Sequence, residues 1–455
     1  MSPTVRRGAP LSLLVMGSGG SAAVPDIACV TSPSTGCACC LDTLRSPHGS
    51  GENSPNKRGN TGAVIRVPPE VGKEREGEMT ILLDCGKTFR EQALRIFPEK
   101  GLRKIDAVIL THHHADAIDG LDDLRAWTYK TAIESTIPIY CSAVTYSFIR
   151  ASFPYLISKA AASGGGAVPT FQWHVMPDDK DWEICGVKVT PLPVHHGRYF
   201  TTPPKPLICL GFLFDDSVLY MSDVNYIPES IWSLLSTRLS LPSPSGVFPS
   251  PSSLPSLSSS RPTVLRPSPS PSLPLPRLQA LIIDCIGLSL GPSHFGLPQA
   301  ILTARRLGAK RTYLTDFPHE TSHDAWLAFC HAFERGKMSR EGRKKARQNG
   351  SAGPPPLWRK VEEHERQSPA SHVLEGLDAR FEDLELFAER ALEAVEDWAG
   401  GVGLEGGWVR PARDGMRIGW ERDEGEGEVE ETEGGGRVWD DEYDGEEEGR
   451  MRRFR

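Results

Sequence analysis

One ten-residue stretch constrains this chain more than any other: Thr111-His112-His113-His114-Ala115-Asp116-Ala117-Ile118-Asp119-Gly120. It directly follows the apolar run Asp106–Leu110, so it forms the turn off a strand end. Three imidazoles and a carboxylate therefore sit on a short, rigid support. On extended backbone His112 and His114, two apart, face the same way, and His113 points elsewhere. Neutral imidazole nitrogens and carboxylate oxygens suit zinc and similar divalent ions.

The rest of the body supplies the frame. Short apolar runs recur at Leu11–Met16, Ala63–Val67, Thr80–Leu83, Ala107–Leu110, Ile137–Tyr140, Val187–Val194, Leu210–Phe214, Val218–Met221, Ala280–Ile283 and Thr312–Leu314. They are short and mostly β-branched or aromatic, which favours strands. Helical stretches lie between them at Phe89–Phe97, Ala143–Ser158 and Gln299–Leu307. One continuous mixed series predicts a layered α/β domain over residues 1–335.

Two segments stand outside that series. Residues 241–276 hold 11 Pro and 12 Ser in 36 positions and cannot build a core, so a disordered insertion is expected there. It separates two strand candidates and is a loop within one domain. Further on, residues 336–372 read as a basic and proline-containing linker. A helix candidate over Val373–Trp398 places 373–415 as a helical extension packed on the same domain, and 416–455 reads as a disordered acidic tail. The formal net charge of −8 belongs to that tail: residues 421–448 carry a net −13, leaving +5 on the rest. That excludes a wholly acidic body and leaves an anionic substrate open.

No run of 18 apolar residues exists, so no membrane span is expected. The apolar run at Leu11 flows into Gly17-Ser18-Gly19-Gly20 and does not read as a signal peptide. A cytoplasmic protein is the expectation, with the nucleus left open. Ten cysteines are too few for a disulfide scaffold, but Cys37, Cys39 and Cys40 cluster, and Cys37-x-x-Cys40 has zinc-chelating spacing.

The ordered motifs resemble the metallo-β-lactamase superfamily, whose signature is H-x-H-x-D-H after a strand. This chain has His112-x-His114-x-Asp116, with Ala117 where the last His usually stands. A strand ending in Asp84 precedes it. Strands ending in His195-His196-Gly197, in Ser222-Asp223 and near His319 follow in order. Within the superfamily the chain is similar to the PhnP-like branch of cyclic-phosphate phosphodiesterases, kin to tRNA 3′-processing endonucleases. The start Gly17–Pro25, the following Cys cluster and Asn60-Thr61 carry that likeness.

The resemblance implies a four-layer αββα sandwich and a role for each motif residue. His112, His114 and His196 would hold one metal; Asp116, Asp223 and His319 would hold a second, with Asp223 bridging. His195 is the alternative to His196. The ions would be zinc or manganese, two of them, or one because of Ala117, for which Asp119 is the nearby substitute. Asp84 would orient a ligand His, Asp116 would share in catalysis, and His294 would act as general acid. Cys29, Cys37, Cys40 and His323 would hold one structural zinc, with Cys39 competing for a place. His48, His174, His331, His364 and His372 belong to no motif.

The expected activity is metal-dependent hydrolysis of a small cyclic phosphate or nucleotide-like phosphodiester. The alternatives are a tRNA-processing-type nuclease and a non-catalytic metal-binding protein with a weakened second site. A thioesterase or lactonase is also open to such a fold. A small phosphodiester substrate is the expected partner, nucleic acid is the alternative, and a homodimer is implied by resemblance alone.

Overall fold

Strands that are apolar on both faces must be covered on both faces, and the apolar runs of this chain build two such sheets. A computed structural model describes residues 10–32, 36–44, 51, 54–69, 77–241, 278–336, 339, 384–398, 407–420 and 438–444. Six strands from the first half are β1 (Leu11–Gly17), β2 (Gly62–Val67), β3 (Met79–Leu83), β4 (Ala107–Ile109), β5 (Ile137–Cys141) and β6 (Phe171–Val175). The next six are β7 (Trp182–Ile184), β8 (Val187–Tyr199), β9 (Lys205–Phe214), β10 (Val218–Met221), β11 (Ala280–Asp284) and β12 (Arg311–Thr315). Three short ones follow: β13 (Val409–Pro411), β14 (Arg417–Trp420) and β15 (Val438–Asp440). One sheet runs β15-β14-β1-β2-β3-β4-β5-β6 and the other β13-β12-β11-β10-β9-β8-β7.

Alternation along each strand sorts side chains into layers. Leu11, Leu13 and Val15 of β1, Ile81 and Leu83 of β3, and Ala280 and Ile282 of β11 share the core between the sheets. Leu14, Leu82 and Val108 face outward into a core with α3 (Phe89–Glu99) and α6 (Ala143–Ser152). Leu281 and Ile283 face the other way, against α8 (Glu229–Arg238), α9 (Leu297–Leu307), α10 (His323–Glu334) and α11 (Leu384–Trp398). The result is the expected order helix, sheet, sheet, helix. Short helices α1 (Ile27–Val30), α2 (Ala38–Asp42), α4 (Ala115–Ile118), α5 (Arg125–Thr128) and α7 (Pro154–Ile157) complete it. None of the described helices is long and apolar enough to cross a membrane.

Parallel pairing fixes where chemistry can occur. β3 pairs in parallel with β4, and β10, β11 and β12 pair in parallel with one another. Their carboxyl ends therefore open on one rim, the usual place for a ligand in a parallel sheet. Asp84, Thr111–His114, Asp223, Asp284 and Asp316 all lie there.

The C-terminal part differs from expectation. Residues 416–455 do not all form a tail: β14 pairs with β1, β15 pairs with β14, and both close the first sheet. The cause is a set of contacts too sparse in sequence to form a pattern. Arg311 on β12 bonds Asp440 at 2.7 Å and Asp444 at 2.6 Å, and the Tyr313 hydroxyl donates to Asp440 at 2.9 Å. The 373–415 extension holds α11 but also β13, which pairs in parallel with β12. Residues 242–276 of the Pro/Ser insertion, most of the 336–372 linker, residues 373–383 and 399–406 of the helical extension, and residues 421–437 and 445–455 lie outside the described residues.

Asp414, between β13 and β14, braces the opposite end of the chain. Its carboxylate accepts from the Ser18 backbone and hydroxyl at 2.9 Å each and from the Gly59 backbone at 2.8 Å, and it pairs with Arg95 at 3.1 Å. Removing it orphans three buried donors. Asp414→Ala is expected to destabilise by on the order of 3 kcal/mol, lowering Tm by roughly 3–5 °C. Thermal denaturation followed by circular dichroism checks this.

Candidate metal centres

β4 ends at Ile109, and its extension carries Thr111 to His114 into the rim. The Asp84 carboxylate accepts from the Thr111 backbone N–H and from its hydroxyl, each at 2.8 Å. The hydroxyl proton being committed, Thr111 Oγ1 accepts from His112 Nδ1 at 2.8 Å. The tautomer follows: His112 Nε2 is a bare acceptor, buried and without a hydrogen-bond partner. Asp84 thus reaches the His through Thr111 and not directly. Gly86 lets the loop after β3 press against α4, since a Cβ there would lie 1.7 Å from the Asp116 carbonyl oxygen.

His196 arrives from the second sheet. β8 and β9 shift register between His195 and Arg198, a bulge that turns His196 into the rim. Gly197 follows at φ +73°, with the Ser293 side chain 3.0 Å from where its Cβ would stand. That closeness lets His196 Nδ1 donate to the Ser293 carbonyl at 2.8 Å and leaves Nε2 facing inward. His195 instead packs on Tyr226, with rings 5.1 Å apart, and takes no part.

His196 Nε2 lies 3.0 Å from His114 Nδ1. Two lone pairs cannot stand that close without a proton or a cation between them. The rings of His112, His114 and His196 are 4.7 to 5.0 Å apart, and one nitrogen from each converges on a common point. Burial holds His112 well below its usual range and His114 at about 4, so both stay neutral ligands near pH 7. These residues fit a divalent ion.

Carboxylates line the neighbouring side. Asp223 approaches His196 at 3.9 Å and Asp116 approaches His112 at 3.9 Å, with Asp116 Oδ1 unpaired. His294 Nδ1 donates to Asp284 at 3.0 Å, while an Asp316 oxygen lies 2.9 Å away off the bond axis and unpaired. Burial opposes charge on the His294 ring, but Asp284 and Asp316 overrule it and hold its pKa well above the usual value. Burial, relieved in part by His294, raises Asp284 to about 6 and Asp316 to about 7. Burial also raises Asp116 to about 6, aided by Asp223 and Asp316. Asp223 is itself buried, yet His112, His196 and His294 pull it below the usual carboxylate range. Ala117 is buried in the helix-side core, and Asp119 is exposed and belongs to none of the convergent groups among the described residues.

His319 is not in this centre. β12 ends at Thr315, and Asp316 (φ +68°) takes the rim position expected for the histidine. Three residues later the chain has turned toward the Cys cluster. There His319 Nδ1 lies 3.5 Å from the sulfurs of both Cys37 and Cys40. Tetrahedral zinc, at about 2.3 Å from sulfur and about 2.0–2.1 Å from nitrogen, implies sulfur–nitrogen edges of about 3.5 Å. Cys29, Cys37, Cys40 and His319 converge as one group. Backbone N–H groups of Cys37, Cys40 and Asp26 point at the sulfurs of Cys29, Cys37 and Cys40 at 3.1 to 3.3 Å, and His319 Nε2 meets Glu320 at 3.2 Å. The Cys40 contact leads in drawing Cys37 down to about 4 against burial. Cys39 points away, toward the Thr321 carbonyl at 3.9 Å. His323 is likewise not a ligand: it is buried at the start of α10, beside the Tyr443 hydroxyl at 3.3 Å.

Asp284, Asp316, Thr111 and Ser293 went unread in the sequence. An apolar strand closing on Asp, as in Ile282-Ile283-Asp284, is a signal that could have found the first two. The Ser293 contribution is a backbone carbonyl and leaves no trace in residue type.

A beta-lactamase superfamily domain model matches residues 79–317, more than half of the chain. The chain belongs to the metallo-β-lactamase superfamily. Among solved structures, this metallo-β-lactamase-family chain is similar to a diphosphatase from the PhnP family, at 21% identity and TM-score 0.49, covering 91% of this chain and 98% of that one. It is also similar to YhfI from Bacillus subtilis, a metallo-β-lactamase fold protein, at 15% identity and TM-score 0.43, covering 90% and 100%. An octanoyltransferase of Porphyromonas gingivalis is 28% identical over 228 residues, covering 50% of this chain and 37% of that protein. The chain thus spans little more than a third of that relative.

Two predictions follow from the donor sets. His319→Ala is expected to lose about one zinc per chain by elemental analysis and to lower Tm, whereas His323→Asn keeps the zinc. In metal-stripped protein, Asp316 binds a proton when folded that the unfolded chain has released, so its contribution to stability falls as pH rises from about 4 to about 7. Asp316→Asn should therefore raise the Tm of the stripped protein by a few °C, roughly, at pH 8 and not at pH 4.

Proposed function

We propose that this member of a hydrolase superfamily cleaves a small phosphodiester through a metal-activated hydroxide. The observation that carries the reading is the three-histidine cradle. Its outer nitrogens at His112 and His196 are spent on Thr111 and Ser293, which leaves the inner ones free to bind an ion beside the Asp116 and Asp223 carboxylates. An ion bound there supplies a water of lowered pKa and neutralises charge on phosphoryl oxygens.

The chain's own groups do the rest. Asp116 and Asp223 orient the attacking water and complete the donor set on the carboxylate side, where Asp316 offers a further oxygen. An oxygen-rich set of this kind favours harder ions such as manganese. His294, charged and anchored through Nδ1 on Asp284, gives its Nε2 proton to the leaving alkoxide. The similarity to a PhnP-family diphosphatase agrees with phosphorus as the atom attacked. The Cys29, Cys37, Cys40 and His319 group would hold a structural zinc, which would pin α1 and α2 to the turn after β12.

Metal-replete protein should hydrolyse bis-(4-nitrophenyl) phosphate or a cyclic nucleotide. His294→Ala should lower kcat by about 10²- to 10⁴-fold while leaving the bound metal measured by elemental analysis within error. Asp223→Ala should abolish turnover and lose metal. Metal-replete protein without turnover, or an Asp223→Ala variant as active as the parent, sinks the reading.

A further inference from the structure

The loop that carries His112 and His114 also carries His113, which the cradle does not use. Its ring turns away from the rim and meets two aromatic rings. Phe148 of α6 lies 4.6 Å from it, and Tyr199 at the end of β8 lies 6.2 Å from it, stacked within 10°. The Tyr199 hydroxyl reaches His113 Nε2 at 3.4 Å, and the His113 and His114 rings are 5.8 Å apart. The row Phe148, His113, Tyr199 is therefore continuous with a cradle ligand.

His113 is buried beneath this row, but its neighbours are open: Phe148 is 43% exposed and Tyr199 37%, and Phe200 beside it is 97% exposed. Large aromatic faces left in water next to a ligand-binding rim call for a partner. The same hairpin tip adds exposed cations. Lys205 stands directly across from Tyr199 on the same face of the β8–β9 pair, and Arg198 precedes Tyr199 on the other face. Flat aromatic faces beside positive charge suit a planar ring attached to a phosphate. A lipid or an apolar peptide would need a wider apolar surface than these three rings.

We propose that Phe148, Tyr199 and Phe200, with Lys205, seat the nucleobase of the substrate, so that the bond cleaved at the cradle belongs to a nucleotide. This rests on the phosphodiesterase reading and adds to it the class of substrate. Tyr199 reaches the base from the strand that delivers His196, and His113 supports that ring from the loop that delivers His112 and His114. One pair of segments then fixes both the base and the phosphorus.

Calorimetric titration of the metal-loaded protein with AMP and with ribose 5-phosphate separates base from phosphate. AMP should bind about tenfold or more tightly than ribose 5-phosphate, and the Phe148→Ala/Tyr199→Ala double variant should lose that difference. These side chains are solvent-facing, so the variant should keep its circular dichroism spectrum and metal content. In parallel, kcat/KM for 2′,3′-cyclic AMP should exceed that for glycerol 1,2-cyclic phosphate in the parent, the ratio falling toward one in the double variant. Equal binding of AMP and ribose 5-phosphate, or a preference for AMP untouched by the double substitution, overturns the base seat. Base-dependent AMP binding without turnover of either cyclic phosphate supports the seat and sinks only the phosphodiesterase reading.

Discussion

Four carboxylates, Asp84, Asp223, Asp284 and Asp316, are almost fully buried on one rim of the molecule, and like charges held away from water demand something positive among them. Much of the architecture answers that demand. The parallel strands β3, β10, β11 and β12 deliver the carboxylates, and Asp84 and Asp316 sit at positive φ, a conformation that aspartate tolerates better than most residues. The imidazoles of His112, His196 and His294 are interleaved with them. His294 stays protonated because two carboxylates flank it, and His112 stays neutral because burial disfavours its charged form, while Thr111 fixes which nitrogen keeps the proton.

Precision at the rim comes from backbone as much as from side chains. The bulge at His196-Gly197 aims one ligand, the Ser293 carbonyl fixes its tautomer, and the bare carbon of Gly86 brings the loop after β3 against α4. Such supports orient metal-binding groups before any ion arrives.

These supports also explain what could be read from residues alone. The His112-x-His114-x-Asp116 run, His196-Gly197 and Asp223 each follow a strong apolar strand, so period and residue type together announced them. Neither histidine after β12 stands where its motif suggests, for a geometric reason: His319 joins the Cys cluster and His323 joins neither centre. A strand end fixes the direction of the next residue, Asp316, but a turn of unknown shape separates it from His319, and spacing alone cannot say to which cluster the turn leads. β13, β14 and β15 were invisible because strands of three or four residues inside a charged stretch have no period to detect. Their partners, Asp414 with Ser18 and Arg311 with Asp440, lie hundreds of residues or more than a hundred residues away.

The separation of Ser18 from Asp414, 396 positions, orders events during synthesis. β1 leaves the ribosome long before its outer neighbour β14 and the carboxylate that braces its glycine-rich loop are made. The α3 layer and the inner strands have their partners much earlier. While the 396 intervening positions are added, a nascent chain thus holds β1 paired on one side only, its unpaired edge open to whatever else can add a strand. Closing that edge waits for β14, and the glycine-rich loop beside it gains its Asp414 brace only then.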